Sequence, residues 1–240
     1  MNSSTAQKLI ELNQEFYTRF GAEFSSTRRR LQPGVKRILD SLRGDRAASI
    51  LDIGCGNGEL ARELTRRAHH GPYFGVDFSP PLLAAASHPH SFPVNFIQAD
   101  LSSAAWAKNV ELSTFDVIFA FAVLHHIPSN DMRLDILRTV RNLLKEDGEF
   151  ILSNWQFLNS RKLKARIQSW DKIKIREKDL DEGDYLLDWR SGGTGLRYVH
   201  HFSVEELSAL AEQSGMHVSV SFLSDGEGGN LGLYQIWGRD

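Results

Sequence analysis

Three glycines stand at alternate positions in ILDIGCGNGEL, residues 50–60: Gly54, Gly56 and Gly58, with Asp52 just ahead of them. Glycine inside a regular element costs about 0.5–1 kcal/mol relative to alanine, so bare backbone here implies that something must approach it closely. A short apolar run precedes these residues and a helical pattern follows. That makes the stretch a strand-to-helix turn, where unpaired N–H groups at the helix start can meet a ligand. A dinucleotide loop reads G-x-G-x-x-G, but Glu59 stands where its third glycine belongs. A phosphate loop needs G-K-[ST], and no lysine follows these glycines. Two further aspartates close later strands, Asp77 in PYFGVDFS and Asp100 in VNFIQAD. Ligands of open α/β sheets bind at the carboxyl ends of strands. The succession Asp52, Asp77 and Asp100 therefore outlines one site.

The elements that must position these residues are legible from apolar spacing. A helix is expected over residues 5–20, stopped by Gly21, and a second from Pro33 to Leu42, ended by Gly44. Strands and helices then alternate: strand 49–53, helix 57–69, strand 72–77, a helix from Pro80, strand 94–100, strand 115–124, helix 131–145 and strand 149–155. Strands apolar on both faces, alternating with helices, imply a parallel sheet covered on both sides. Residues 156–200 are polar and basic and break the rhythm as an insertion. A helix resumes at Ser203, with Glu206 as its expected capping-box partner, and runs to Gly215. The last two strands, MHVSVSFL and LGLYQIWG, flank SDGEGGN and form an antiparallel hairpin. One domain over 1–240 is expected: N-terminal helices as a lid (1–44), a ligand-binding core (45–155), a substrate-side insertion (156–202), then the final helix and hairpin (203–240).

Composition narrows the function classes. The chain has 240 residues and a formal net charge of −2, so it is no polycation, and any nucleic-acid site must be a local patch. Such a patch exists: residues 161–178 hold eight Lys or Arg against Asp171 and Glu177, a local charge of +6. Cys55 is the single cysteine, which excludes an intrachain disulfide and a Cys-rich zinc site and fits a reducing cytoplasmic location. No apolar run approaches the ~18 residues of a membrane span. The start MNSSTAQKLIELNQ lacks the pattern of a signal peptide.

The D-x-G-x-G-x-G turn, with GVDFS and QAD closing the next strands, resembles motif I and its followers in class I S-adenosylmethionine-dependent methyltransferases. That resemblance implies a seven-stranded, doubly wound, mostly parallel sheet with an antiparallel last strand, and S-adenosylmethionine as cofactor. It puts Asp77 at the ribose hydroxyls and Asp100 near the adenine amino group. Tyr17, Asp52, Gly54, Gly56, Gly58, Phe78, Leu101 and Ala120 complete the implied cofactor set. No metal is implied.

A narrower resemblance runs along nearly the whole chain. FYTRFGAEFSSTRRRLQPGVKRIL, AVLHHIPS, GDYLLDWR, LRYVHHFSVEEL and GNLGLYQIWG resemble segments of the eukaryotic tRNA wobble-uridine methyltransferases, which esterify 5-carboxymethyluridine. The matches include Tyr17, Phe24, Ser25, Thr27, Arg28, His125, His126, Arg197, Tyr198, His200, Phe202 and Leu207. The resemblance implies tRNA as substrate, a small zinc-binding activator subunit as partner, and Arg28, His125, Arg197 and His200 on the acceptor side. His125 and His126 cannot both face the cleft if the strand continues through them, because neighbours point to opposite sides; His125 is taken as the cleft-facing one. The sequence departs from the pattern at Asp188 and Val199, on the substrate side. A methyltransferase of a small carboxylate or hydroxyl compound is the alternative, and a non-catalytic S-adenosylmethionine-binding partner protein is a third.

Overall fold

A computed structural model describes residues 1–26, 30–42, 46–112 and 114–240. Its centre is a seven-stranded sheet. Strands β1 (Ile50–Ile53), β2 (Tyr73–Asp77), β3 (Val94–Gln98), β4 (Phe115–Phe121) and β5 (Leu144–Trp155) pair in parallel. Strands β9 (Met216–Ser224) and β10 (Gly232–Arg239) complete it in the order β3-β2-β1-β4-β5-β10-β9. Within this sheet, among the described residues, β10 alone runs antiparallel to its neighbours on both sides, as the class I methyltransferase fold requires.

Successive strand residues point to opposite faces, and both faces are buried. Leu51, Ile53, Ile118 and Leu152 meet Leu134, Leu137 and Val140 of α5 (Asn130–Leu143) and Leu207 and Leu210 of α7 (Val204–Gln213). Ile50, Phe119, Ile151 and Tyr234 meet Val35 and Ile38 of α2 (Pro33–Ser41) and Leu60 and Leu64 of α3 (Glu59–Arg66). A further helix, α4 (Pro80–Ala86), follows β2.

Residues 156–202 build more than a loop. They carry the short helix α6 (Arg161–Lys164) and a separate antiparallel sheet of β6 (Ile167–Gln168), β7 (Asp184–Trp189) and β8 (Gly195–His200). Helix α1 (Ser3–Ser26) lies across this sheet. Leu9 packs with Trp170, Ile175, Leu186 and Tyr198, while Phe16, Tyr17 and Phe20 pack with Trp189. Trp170 and Trp189 thus serve packing.

Several boundaries differ from expectation. Gly21 does not stop α1, which continues to Ser26. Among the described residues, a side chain at Gly21 would meet Leu82 and Ser79 at 3.9 Å, and the buried apolar stripe outweighs a propensity penalty of about 1 kcal/mol. Helix α3 begins at Glu59 because Gly58 is left-handed (φ +76°). Helix α5 ends at Leu143, and an irregularity between Phe115↔Leu144 and Val117↔Glu149 absorbs the EDG turn within β5. Strand β4 ends at Phe121 because Ala122 turns left-handed (φ +59°). Ser203 caps α7 by accepting from the Glu206 N–H, but the Glu206 carboxylate goes to His200, so half of the expected capping box is absent. Gly44 lies outside the described residues. Among the described residues no helix is long and apolar enough to cross a membrane.

Candidate active site

The carboxyl ends of β1, β2, β4 and β5 open into a cleft of about 540 Å³. Its floor is the glycine loop, where Gly54, Gly56 and Gly58 all have positive φ (69°, 54° and 76°). At Gly54 a side chain would come within 2.4 Å of Val123, so the loop could not sit against the segment that follows β4 with any other residue. Gly56 lines the cleft, and among the described residues nothing lies within 4 Å of where its side chain would project. Gly58 is corrected: it is not in the lining. A side chain there would meet Ala86 at 2.9 Å, so this glycine lets α3 start against α4.

Two buried carboxylates support the loop. Asp77 accepts from the Gly56 N–H and the Ser79 N–H, each at 2.9 Å. Burial raises its pKa, and the N–H bonds from Ser79, Gly56 and Phe78 pull it back. Asp52 accepts from the Tyr73 hydroxyl at 2.6 Å. Burial pushes Asp52 up to about 7, against the Tyr73 hydrogen bond and with the charge of Asp77 adding to it.

A stability prediction follows from Asp52. An unfolded aspartate ionises near 3.9, whereas the folded group keeps its proton to about 7. Its contribution is therefore fully present below pH ~4 and is lost as pH rises through ~7, on the order of 4 kcal/mol in all. Asp52→Asn should gain stability relative to wild type between pH 5 and pH 8, measured by urea unfolding at both. A difference between the two proteins that does not change with pH would contradict this.

Asp100 accepts from the Ser102 N–H at 2.8 Å and from Gln14 of α1 at 2.7 Å. Tyr17, also of α1, contacts His126 Nε2 through its hydroxyl at 2.8 Å, and its ring meets Phe78 edge-on. His126 Nδ1 lies 3.3 Å from the Tyr198 carbonyl. A carbonyl only accepts, so Nδ1 carries the proton, and in the neutral ring Nε2 accepts from Tyr17. Helix α1 thus roofs the cleft, and Phe78 and Leu101 line it. Ala120 is corrected: it packs in the core with Leu124 and Leu152, while Phe121 and Ala122 line the cleft.

On the far side stand His125, His126, Asn154, Trp155 and Arg197. His125 and His126 both line the cleft, because β4 has ended and residues 124–126 form a 3₁₀ turn in which strand alternation no longer applies. His125 Nδ1 accepts from the Trp155 N–H at 3.3 Å. The Arg197 guanidinium is 4.9 Å from the Trp155 ring, 5.5 Å from Phe16 and 5.7 Å from Trp189, so aromatic faces fix its plane.

His200 is corrected. It is 1% exposed, lies outside the cleft lining, and places its ring nitrogens 2.7 Å from Asp184 and 2.8 Å from Glu206. Arg133 joins this buried cluster, donating to the Tyr198 hydroxyl at 2.9 Å and to the Ile127 carbonyl at 3.0 Å. Arg28 lies outside the described residues. Sequence reasoning missed Gln14, Asn13, Arg133 and Asn154. Their only signal was the polar pair Asn13–Gln14 interrupting the apolar stripe of the first helix. Asn13 ties α1 to β8, accepting from the Tyr198 N–H at 2.8 Å and donating to the Tyr198 and His126 carbonyls at 3.2 Å.

The sheet order and a cleft over a left-handed glycine loop with an aspartate closing the next strand define a class I S-adenosylmethionine-dependent methyltransferase. A family model described as a methyltransferase domain matches residues 24–219, and the chain belongs to that family. The chain is 29% identical over 204 residues to a candidate methyltransferase of Encephalitozoon cuniculi, covering 85% of this chain and 86% of that one. It is 24% identical over 189 residues to the mouse tRNA (carboxymethyluridine(34)-5-O)-methyltransferase, covering 76% of this chain and 25% of the mouse protein. The chain spans about half the length of other curated relatives it matches. A solved complex of DhpI with SAM and HEP shares the fold, with a TM-score of 0.66 at 21% identity over 95% of this chain and 97% of that chain.

The residues present fit S-adenosylmethionine. Asp52 and Asp77 are buried beside the loop, where a ligand of cationic character would favour their ionised forms, and the open side of Gly56 leaves room for it. Asp77 would hold the ribose diol, and Asp100, Phe78 and Leu101 would hold the adenine.

Proposed function

We propose that the methyl acceptor is the ionised carboxylate of 5-carboxymethyluridine at the tRNA wobble position. The observation that carries this reading is Arg197, a cation in the cleft wall whose plane is fixed by Trp155, Trp189 and Phe16. A carboxymethyl group has a pKa near ~4 and is an anion at neutral pH, so its oxygen needs orientation rather than a base. Bound S-adenosylmethionine supplies an activated sulfonium methyl. Arg197 would align the acceptor oxygen, His125 would contribute a ring nitrogen, and the α1 roof would exclude water. The mouse relative is named for this modification and matches across most of the chain. Of the basic run, Arg161, Lys162, Lys164, Lys172, Lys174, Arg176 and Lys178 are exposed, which suits tRNA phosphates. A small activator subunit belongs to the same proposal.

A small carboxylate or hydroxyl acceptor is the second reading. The specific observation in its favour is the roof, since the Gln14–Asp100 and Tyr17–His126 contacts cover the cleft. Labelled methyl transfer to bulk RNA against a small-molecule extract separates the two. On carboxymethylated tRNA, single-turnover chemistry should persist down to pH ~6, and Arg197→Ala should lower its rate about 10- to 100-fold through lost alignment. A steep acid loss that disappears in His125→Ala, with that variant nearly inactive, would make His125 a required base and exclude the carboxylate acceptor.

A further inference from the structure

Asn154 is the penultimate residue of β5, beside the acceptor-side residues, is 1% exposed, and lines the cleft. Among the described residues, neither its Oδ1 nor its Nδ2 has a hydrogen-bond partner. Buried amide groups are nearly always paired, and leaving both ends unmet is costly. Such a residue is expected where a ligand supplies the missing partners.

Its position shows which ligand. Strand β5 is three places from β2 in the sheet order, about 14 Å from Asp77 at ~4.8 Å per strand. The next residue, Trp155, donates its N–H to His125 and faces the Arg197 guanidinium. Asn154 therefore belongs with the acceptor, away from the ribose carboxylate.

We propose that Asn154 is a specificity-determining residue that reads the acceptor's pyrimidine ring by pairing its amide with the imide edge of uracil. This rests on the acceptor reading above. An asparagine amide presents a carbonyl acceptor beside an N–H donor. The imide edge offers the complement, an N3–H donor beside a carbonyl oxygen. Arg197 orients the carboxylate, and Asn154 fixes the ring that carries it. A site built to hydrogen-bond a substrate rejects an analogue that cannot do so, because its own buried groups stay unpaired.

The test uses the full chain loaded with S-adenosylhomocysteine and titrated by NMR with 5-carboxymethyluridine or its N3-methyl derivative. Wild type should bind the N3-methyl compound at least 10-fold more weakly. In Asn154→Leu, which is near-isosteric, that ratio should collapse towards one. Its melting temperature should hold or rise, because the unmet amide is gone; a purely structural asparagine would give the opposite. Asn154→Ser is the second variant, should the leucine protein fail to fold, and the same collapse is expected. Equal binding of both nucleosides by wild type, binding of neither, or a ratio unchanged by substitution overturns the proposal. Labelled methyl transfer to carboxymethylated tRNA is measured in parallel. Transfer without an Asn154-dependent ratio keeps the acceptor reading and rejects this one, and the ratio without transfer does the reverse.

Discussion

Asp77→Ala is expected to raise the dissociation constant for S-adenosylhomocysteine about 30- to 1000-fold, or 2–4 kcal/mol. Two losses add. The carboxylate that would bind the ribose diol is removed, at about 1–3 kcal/mol for charge-assisted hydrogen bonds. The Gly56 and Ser79 N–H groups also lose the acceptor that holds the glycine loop in shape. Asp77→Asn keeps one carbonyl oxygen and should fall between the two. Calorimetry checks this, with urea unfolding as the control for folding. Equal affinities for wild type and Asp77→Ala would falsify the placement of the cofactor at this loop.

The largest loss of stability is expected at Arg133, which no motif marked. Its side chain is 1% exposed, donates to the Tyr198 hydroxyl and the Ile127 carbonyl, and lies 3.8 Å from Asp184 and 3.6 Å from Glu206. The Tyr198 hydroxyl in turn donates to Asp184 at 2.7 Å. One cation thus bridges α5, the small sheet and α7. Arg133→Met keeps much of the volume but leaves the buried Asp184 carboxylate with less compensation, which costs about 3–5 kcal/mol. The Ile127 carbonyl follows the turn bearing His125 and His126, so the acceptor side should loosen as well. Urea unfolding should show the lower midpoint, and S-adenosylhomocysteine affinity should change far less, because the glycine loop lies elsewhere. Unchanged stability would mean that the cluster does not tie these layers together.

The cleft floor was legible in the sequence because its geometry is local. A left-handed glycine turn and an aspartate closing each of the next strands are set by strand-end position, and backbone geometry carries them to one edge of a parallel sheet. Gly54, Gly56, Asp52, Asp77 and Asp100 could be read that way. Gly58 and Ala120 fall outside the cleft lining, because a close helix contact and a core-facing strand position look the same in one dimension as a cleft position.

The acceptor side was decided by tertiary structure. His125 and His126 share the cleft because Ala122 breaks the strand before them. His200 and Arg197 lie three residues apart on β8, an odd spacing that puts them on opposite faces, and the packing then supplies a buried cluster with two carboxylates on one face and an aromatic wall partly from α1 on the other. Spacing gives a residue's place along an element. Which packed layer that place meets depends on contacts between segments distant in the chain, such as Asn13 with Tyr198 and Gln14 with Asp100. Hydrogen bonds between such segments leave no periodic trace in sequence, because they require only two polar groups brought to about 3 Å by the packing of everything else.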